Sequence, residues 1–181
     1  MGNSNYRRNG VWGSIQNKIA DNLYSFNITI SSFPLGSRAT NIEIAIACLE
    51  VGLIIFTREA YPRDWGYNQN SLGNAYSDRI REDKAENIER AIACYELALE
   101  VRTRADFPQD WALIQNNLAI AYYDRIREDK AENIERAIAC YDLALEVSTR
   151  AAFPQDWALI QNNLAAAYYT PFPPEDYRIR L

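Results

Sequence analysis

The chain has 181 residues, a net charge of −5 and a pI near 4.9, and its basic residues are interleaved with acidic ones. A nucleic-acid-binding face would need clustered Lys and Arg, so this balance argues against nucleic acid. No apolar run approaches the roughly 20 residues that a membrane-spanning helix requires. The polar start MGNSNYRRNG also lacks a secretory signal. We therefore expect a cytoplasmic protein that does not bind membranes.

Residue types that carry catalysis or bind metals are scarce. The chain has no histidine, and it contains neither a glycine-rich phosphate loop nor a nucleophile elbow. Its three cysteines, Cys48, Cys94 and Cys140, are each 46 residues apart. Equivalent positions in stacked helical repeats lie roughly 10 Å apart, beyond the ~7 Å limit for a disulfide. We predict buried, unpaired cysteines, no metal, no cofactor and no enzymatic activity.

One sequence motif recurs along the chain. It begins as WGSIQNKIAD at 12–21, returns as DWGYNQNSLGN at 64–74, and appears as QDWALIQNNLA at both 109–119 and 155–165. Residues 78–123 and 124–169 agree at all but four of 46 positions, and 32–77 is a more divergent copy. The four differences are Glu96/Asp142, Arg102/Ser148, Asp106/Ala152 and Ile120/Ala166. Such a period predicts a repeat array in which each unit buries its apolar face against the next.

Each unit contains two helical patterns, a helix A near 109–126 and a helix B near 84–104 in the best-defined copy. In helix A, Pro108 suits the first turn, where its missing N–H costs nothing. Before helix B, the segment from Asp83 to Glu86 resembles a capping box with Asp as the cap. The apolar stripe of helix B is predicted to continue as far as Arg102. The charged connection DRIREDKAEN is interpreted as a solvated turn.

These patterns predict an all-α fold, a right-handed α-solenoid of about three and a half helix-turn-helix repeats with about seven helices. The predicted organisation is a flexible tail (1–11), a solenoid (12–169) and a proline-rich tail (170–181). The units are about 12–64, 65–110 and 111–156, with a final helix at 157–169. Alanines along both helices are small enough to let the backbones approach closely.

The arrangement Leu118-Ala119-x-Ala121-Tyr122, followed by Ala137, Tyr141, Ala144 and Pro154, resembles the tetratricopeptide repeat. The family period is 34 residues, and the 12 extra residues here fall at the two ends of the hairpin. This long period is similar to kinesin-light-chain-type repeats and to arrays in bacterial multi-repeat regulatory proteins. The resemblance implies that the A helices line a concave face that holds another polypeptide, with no catalytic residue.

A second stripe on helix A is the candidate groove. Its central feature is one asparagine per unit, which stacking would arrange as a ladder of amides: Asn17, Asn70, Asn116 and Asn162. Each amide can donate and accept hydrogen bonds along the main chain of an extended peptide. The other predicted groove residues are Asn117, Asn163, Tyr67, Leu113, Leu159, Asn74, Ile120, Tyr123 and Tyr169. The alternative is that the asparagines make structural hydrogen bonds between helices.

The leading functional hypothesis is a non-catalytic scaffold that binds an extended peptide or a partner helix in this groove. The alternative is a module that self-associates through its terminal repeats. Ile44, Ile54 and Phe56 make the first helix B more apolar than its copies, and the connection 26–40 or another molecule is expected to cover it. After Tyr169 the tail PFPPEDYRIRL cannot continue a helix.

Overall fold

The computed structural model describes residues 36–170 together with the isolated positions 18, 22 and 30. All regular structure in residues 36–170 is helical, which confirms the predicted all-α fold. The helices are α1 (Arg38–Ile55), α2 (Pro62–Asp78), α3 (Lys84–Leu99), α4 (Pro108–Asp124), α5 (Lys130–Leu145) and α6 (Pro154–Tyr169). The tail 1–11, residues 171–181 of the C-terminal tail and, apart from Lys18 and Asn22, the predicted first helix A lie outside the described residues.

The A helices of the three successive units are α2, α4 and α6, and each begins at a proline in its first turn. That position leaves no backbone donor unsatisfied, because the first N–H groups of a helix have no partner within it. An aspartate follows within the same turn at Asp64, Asp110 and Asp156. A negative charge there interacts favourably with the positive end of the helix dipole.

The B helices are α1, α3 and α5, and the last two begin at an aspartate cap. The Asp83 carboxylate accepts a hydrogen bond from the Glu86 N–H at 2.8 Å, and Asp129 accepts one from Glu132 at 2.9 Å. The predicted cap is therefore present in both copies. Helix α3 ends at Leu99, however, and not near residue 104. Arg102 lies in the turn after the helix but is buried. The pattern of buried positions therefore extends beyond the end of the helix, which is why the sequence predicted a longer helix.

Each helix packs against the next one along the chain, and the core runs through all six. Alanines lie at the points of closest approach, and Ala91, Ala98 and Ala119 are completely buried. The rings of Tyr95 and Tyr141 fill the space beside them. Successive A helices contact one another across the units more than successive B helices do. The A helices therefore form the inner, more crowded side of the stack.

The turns from helix A to helix B are anchored, and this corrects their interpretation as solvated turns. Arg79 donates two hydrogen bonds to Glu43 on α1, at 2.8 and 2.6 Å, and one to Glu82 at 2.7 Å. In the next unit, Arg125 makes the same bonds to Glu89 and Glu128. We call these two groups the arginine anchors.

Two further features hold each turn in its shape. Glu82 and Glu128 adopt left-handed backbone conformations, with φ of 63° and 64°. Asn87 and Asn133 are fully buried, and their side-chain amides donate to the carbonyl oxygens of Arg81 and Arg127. The turn is a recurring structural element, because the same bonds form in both copies.

The first described helix presents part of its apolar surface to solvent. Ile44 and Ile54 of α1 are exposed, whereas Phe56 is buried and packs edge-to-face on Tyr61 with ring centroids 5.5 Å apart. The predicted cover, residues 26–40, lies outside the described residues apart from Ile30 and its last five residues. None of the described helices is long and apolar enough to cross a membrane.

Candidate partner-binding surface on the A helices

The exposed apolar residues of the inner side lie at equivalent positions of successive A helices. Leu113 on α4 is 52% exposed, and its counterpart Leu159 on α6 is 54% exposed. Ile120, two turns after Leu113, is 36% exposed. Tyr67 on α2, the counterpart of Leu113, is half-buried. Leu113 and Leu159 recur with the unit period, and Ile120 lies on the same face of α4 as Leu113. We call these three residues the apolar stripe.

The asparagine ladder has a different position from the one expected. Asn70 is 8% exposed and Asn116 is 4% exposed. The Asn117 amide donates to Asn70 at 3.3 Å, and the Asn163 amide donates to Asn116 at the same distance. Asn117 also donates to Asn74 at 3.2 Å. In these units the ladder joins one A helix to the next, which is the structural alternative left open by the sequence.

The physical reason is that the following unit covers the face on which the ladder lies. A helical wheel for one isolated helix shows this face as open, but stacking places the next A helix against it. Asn162 is exposed, because no further A helix follows it among the described residues. Asn17 is outside the described residues. Of the predicted polar groove residues, Asn74 is exposed, and Asn117 and Asn163 are half-buried.

Aromatic residues extend the surface at the carboxyl ends of the A helices. Tyr123 is half-buried, and its hydroxyl accepts a hydrogen bond from Thr170 at 3.1 Å. The Lys130 ammonium lies 4.9 Å from the centre of the Tyr123 ring. Tyr169 is 87% exposed. An aromatic ring beside a cation can stack on a peptide group or on the stem of an incoming side chain.

Nothing in the described residues indicates catalysis or metal binding. Burial raises the pKa of the Cys94 thiol to about 12 and that of Cys140 to about 11, so neither is a reactive thiolate at neutral pH. The cysteines there are free. Within residues 36–170, no group of three His, Cys, Asp or Glu side chains could hold a metal ion.

An open cleft, which was not predicted from the sequence, lies between α4 and α6. It is lined by Gln109, Ala112, Leu113, Asn116, Ser148, Asp156, Leu159 and Ile160. Three predicted groove residues, Leu113, Asn116 and Leu159, form part of its wall. The signal for it was present in the sequence, since Ser148 is one of the four differences between the two nearly identical copies.

Comparison with known families agrees with this architecture. Residues 111–148, which run from helix A through helix B of one unit, match the family model described as a tetratricopeptide repeat. No curated protein and no solved structure matches the chain. The preceding unit has the same order of helices, and its helices pack in the same way. This match supports a tetratricopeptide-repeat assignment for the matched unit.

Proposed function

We propose that the chain is a scaffold that binds a partner polypeptide along the inner side of its A helices. Tetratricopeptide repeats generally mediate protein–protein interaction, and the family is not catalytic. The observation that carries the finer proposal is the exposed stripe formed by Leu113, Ile120 and Leu159. Exposed apolar residues that repeat on one face are typical of a binding surface, whereas isolated ones are common on any protein.

Polar groups beside the stripe give the surface its capacity to bind a main chain. Asn74 and Asn162 are exposed, and the Asn162 amide offers two donors and an acceptor. The Asn74 oxygen already accepts from Tyr95 and Asn117, so Asn74 offers its N–H donors. An extended peptide has unpaired N–H and C=O groups at regular intervals, so amides can bind it whatever its side chains are. We infer that the ladder has two roles: Asn70 and Asn116 connect the units, and the exposed amides contact the partner.

The proposal is tested by selecting binding peptides from a random display library and measuring their affinity for variants of the full chain. Leu113→Glu combined with Leu159→Glu should weaken binding by at least about tenfold, as expected when central apolar contacts are lost. The matched control is Leu143→Glu, because Leu143 is also exposed but lies on helix B. If Leu143→Glu weakens binding as much as the double variant, the inner side is not the binding surface.

The asparagines separate the structural role from the binding role. Asn116→Ala should lower the free energy of unfolding, since Asn116 is buried and bonded to Asn163. Asn162→Ala should weaken peptide binding and leave the unfolding midpoint unchanged, because its side chain is exposed. The reverse pattern would contradict the division of roles.

Self-association is the second candidate, and the last helix favours it. Tyr168 on α6 is 61% exposed, whereas its counterpart Tyr122 on α4 is 8% exposed. A residue that is buried within the stack is thus open at its end. Sedimentation of the full chain at increasing concentration tests this candidate. Dimers that dissociate when Tyr168 is changed to Ser would support it, and a monomer at all concentrations would dismiss it.

A further inference from the structure

The interface between α2 and α4 contains a buried arginine. Arg102, in the turn after α3, donates from Nη2 to the Arg63 carbonyl oxygen at 2.9 Å and forms an ion pair with Asp110. Its guanidinium lies 4.8 Å from the centre of the Phe107 ring. Its stem passes over Gly66, where an added Cβ would lie 3.1 Å from Cγ of Arg102. This interface therefore contains a binding site for a guanidinium group, which the chain fills with its own side chain.

The next interface repeats this site without the arginine. Position 148, one unit after Arg102, is a buried serine. The counterparts of Arg63, Gly66 and Asp110 are Gln109, Ala112 and Asp156, and all three line the cleft between α4 and α6. Phe153, the counterpart of Phe107, is not among the residues that line it. The shorter side chain of Ser148 accounts for the open space at the place where the preceding interface holds a guanidinium.

The charges around the cleft suit a cation better than those around Arg102 do. Burial is the main cause of the lowered pKa of Arg102, and the neighbouring positive charge of Arg63 lowers it further. The counterpart of Arg63 is the neutral Gln109, so this repulsion is absent from the second interface. Asp156 makes no ion pair with any residue of the described part of the chain. A carboxylate and a main-chain carbonyl beside it provide the acceptors that a guanidinium pairs with.

We propose that the cleft between α4 and α6 receives an arginine side chain of the bound polypeptide, in the position that Arg102 occupies one unit earlier. Arginine fits better than lysine, because its planar group can donate to Asp156 and to the Gln109 carbonyl at once. The proposal rests on the proposed function, since Leu113 and Leu159 border the cleft and belong to the apolar stripe. It specifies the partner further: a basic residue is flanked by apolar ones.

The test uses a small probe, so that it does not depend on finding the partner. Acetyl-arginine-amide is titrated into the ¹⁵N-labelled full chain, with acetyl-citrulline-amide as the neutral probe of the same shape. The arginine probe should cause saturable shifts of the Asn116, Ser148 and Ile160 amide signals. The citrulline probe should bind at least about tenfold more weakly, since a charge-assisted pair becomes a neutral hydrogen bond. Equal shifts with both probes, or no saturable shift, would overturn the proposal.

Two variants locate the probe. Asp156→Asn should reduce its affinity about tenfold while the circular dichroism spectrum stays unchanged, because Asp156 is exposed and supplies the charge. Ser148→Arg with Ala112→Gly rebuilds the preceding interface and should abolish binding, because the chain then fills the cleft itself. If the rebuilt variant fails to fold, Asp156→Asn still decides the outcome. Unchanged affinity in Asp156→Asn would contradict the assignment.

Two further results are informative. One distinguishes failure of the cleft proposal from failure of the proposed function, and the other distinguishes an arginine of a partner from an arginine of this chain. If display peptides bind through Leu113 and Leu159 but the arginine probe does not bind, the cleft proposal fails and the proposed function stands. Arg178 and Arg180 lie outside the described residues, so the full chain with both changed to Gln is also titrated. An at least tenfold gain in probe affinity would show that the chain's own tail competes for the cleft and would overturn assignment to a partner. Unchanged affinity supports the partner.

Discussion

The two interfaces between successive A helices have the same arrangement of helices, yet Arg102 fills one of them and the other is open. Between α2 and α4, Arg102 is buried beside Gly66 and bonded to Asp110. Between α4 and α6, Ser148 leaves a cleft next to Asp156. The helices, caps and turns are the same in both. The comparison shows that the repeated residues define the stack, whereas a few substitutions (Arg102/Ser148, Arg63/Gln109 and Gly66/Ala112) change the surface that one layer exposes.

The arginine anchors should be equally important on both sides of this comparison. Replacing Arg79 or Arg125 by Gln leaves two glutamates without their buried cation, and each change should lower the free energy of unfolding by about 2–3 kcal/mol. Urea denaturation measures this. Arg38→Gln is the control, because its pair with Asp78 is exposed and should contribute less than about 1 kcal/mol. A difference of more than about 1 kcal/mol between the two anchor variants would mean that the layers are not equivalent.

Acid should weaken both anchors together. The Arg79 guanidinium lowers the pKa of Glu43 below its ordinary value of 4.5, and Arg125 does the same to Glu89. A carboxylate with a lowered pKa in the folded state stabilises the fold above its unfolded-state pKa. This stability is lost as the pH falls below about 4.5 and through the folded-state pKa. When thermal unfolding is measured from pH 6 to pH 3, the midpoint temperature should fall less in the Arg79→Gln, Arg125→Gln double variant than in the wild type.

Arg102 should contribute less to the free energy of unfolding than the arginine anchors do. Arg102→Ser removes its stacking on Phe107 and its bond to the Arg63 carbonyl, and should lower the unfolding free energy by about 1 kcal/mol. Arg102→Met keeps the buried stem and removes a costly buried charge, so its stability should lie within about 0.5 kcal/mol of the wild type or above it. Urea denaturation distinguishes the two variants. A loss above about 2 kcal/mol in Arg102→Met would show that the charge itself stabilises the interface.

The amide contacts between the A helices should give the smallest effect. Asn117→Ala removes bonds to both Asn70 and Asn74, and should cost about 1 kcal/mol. Asn163→Ala removes the single bond to Asn116 and should cost about half as much. Thermal unfolding of the two variants measures the difference. Equal losses would indicate that the bond to Asn74 adds nothing.

The sequence predicted the architecture because the repeat imposes the same local rules several times. The first-turn proline of helix A and the Asp83 cap of helix B are local signals, and both are present where they were predicted. The arginine anchors were missed because Arg79 and Glu43 are 36 residues apart and meet only in the stacked structure. The recurrence of the same pair at Arg125 and Glu89 was the available signal.

The candidate site was less predictable than the fold, for a related reason. The helix period predicted one face of helix A that carries Leu113, Ile120 and Leu159, and all three side chains are exposed. It could not show that Asn70 and Asn116 face the next unit, since the packing direction of the stack is not a local property. Helix B was extended too far because Arg102 is buried by the turn and not by the helix.

Photo-crosslinking of a selected peptide tests the central claim most directly. A benzoylphenylalanine residue replaces Leu113 on the inner side of the stack or Leu143 on the outer helix of the same unit. The structure predicts that the peptide crosslinks from position 113, that excess unlabelled peptide prevents this, and that position 143 gives no product. Crosslinking from position 143 alone, or equally from both, would contradict binding on the A helices.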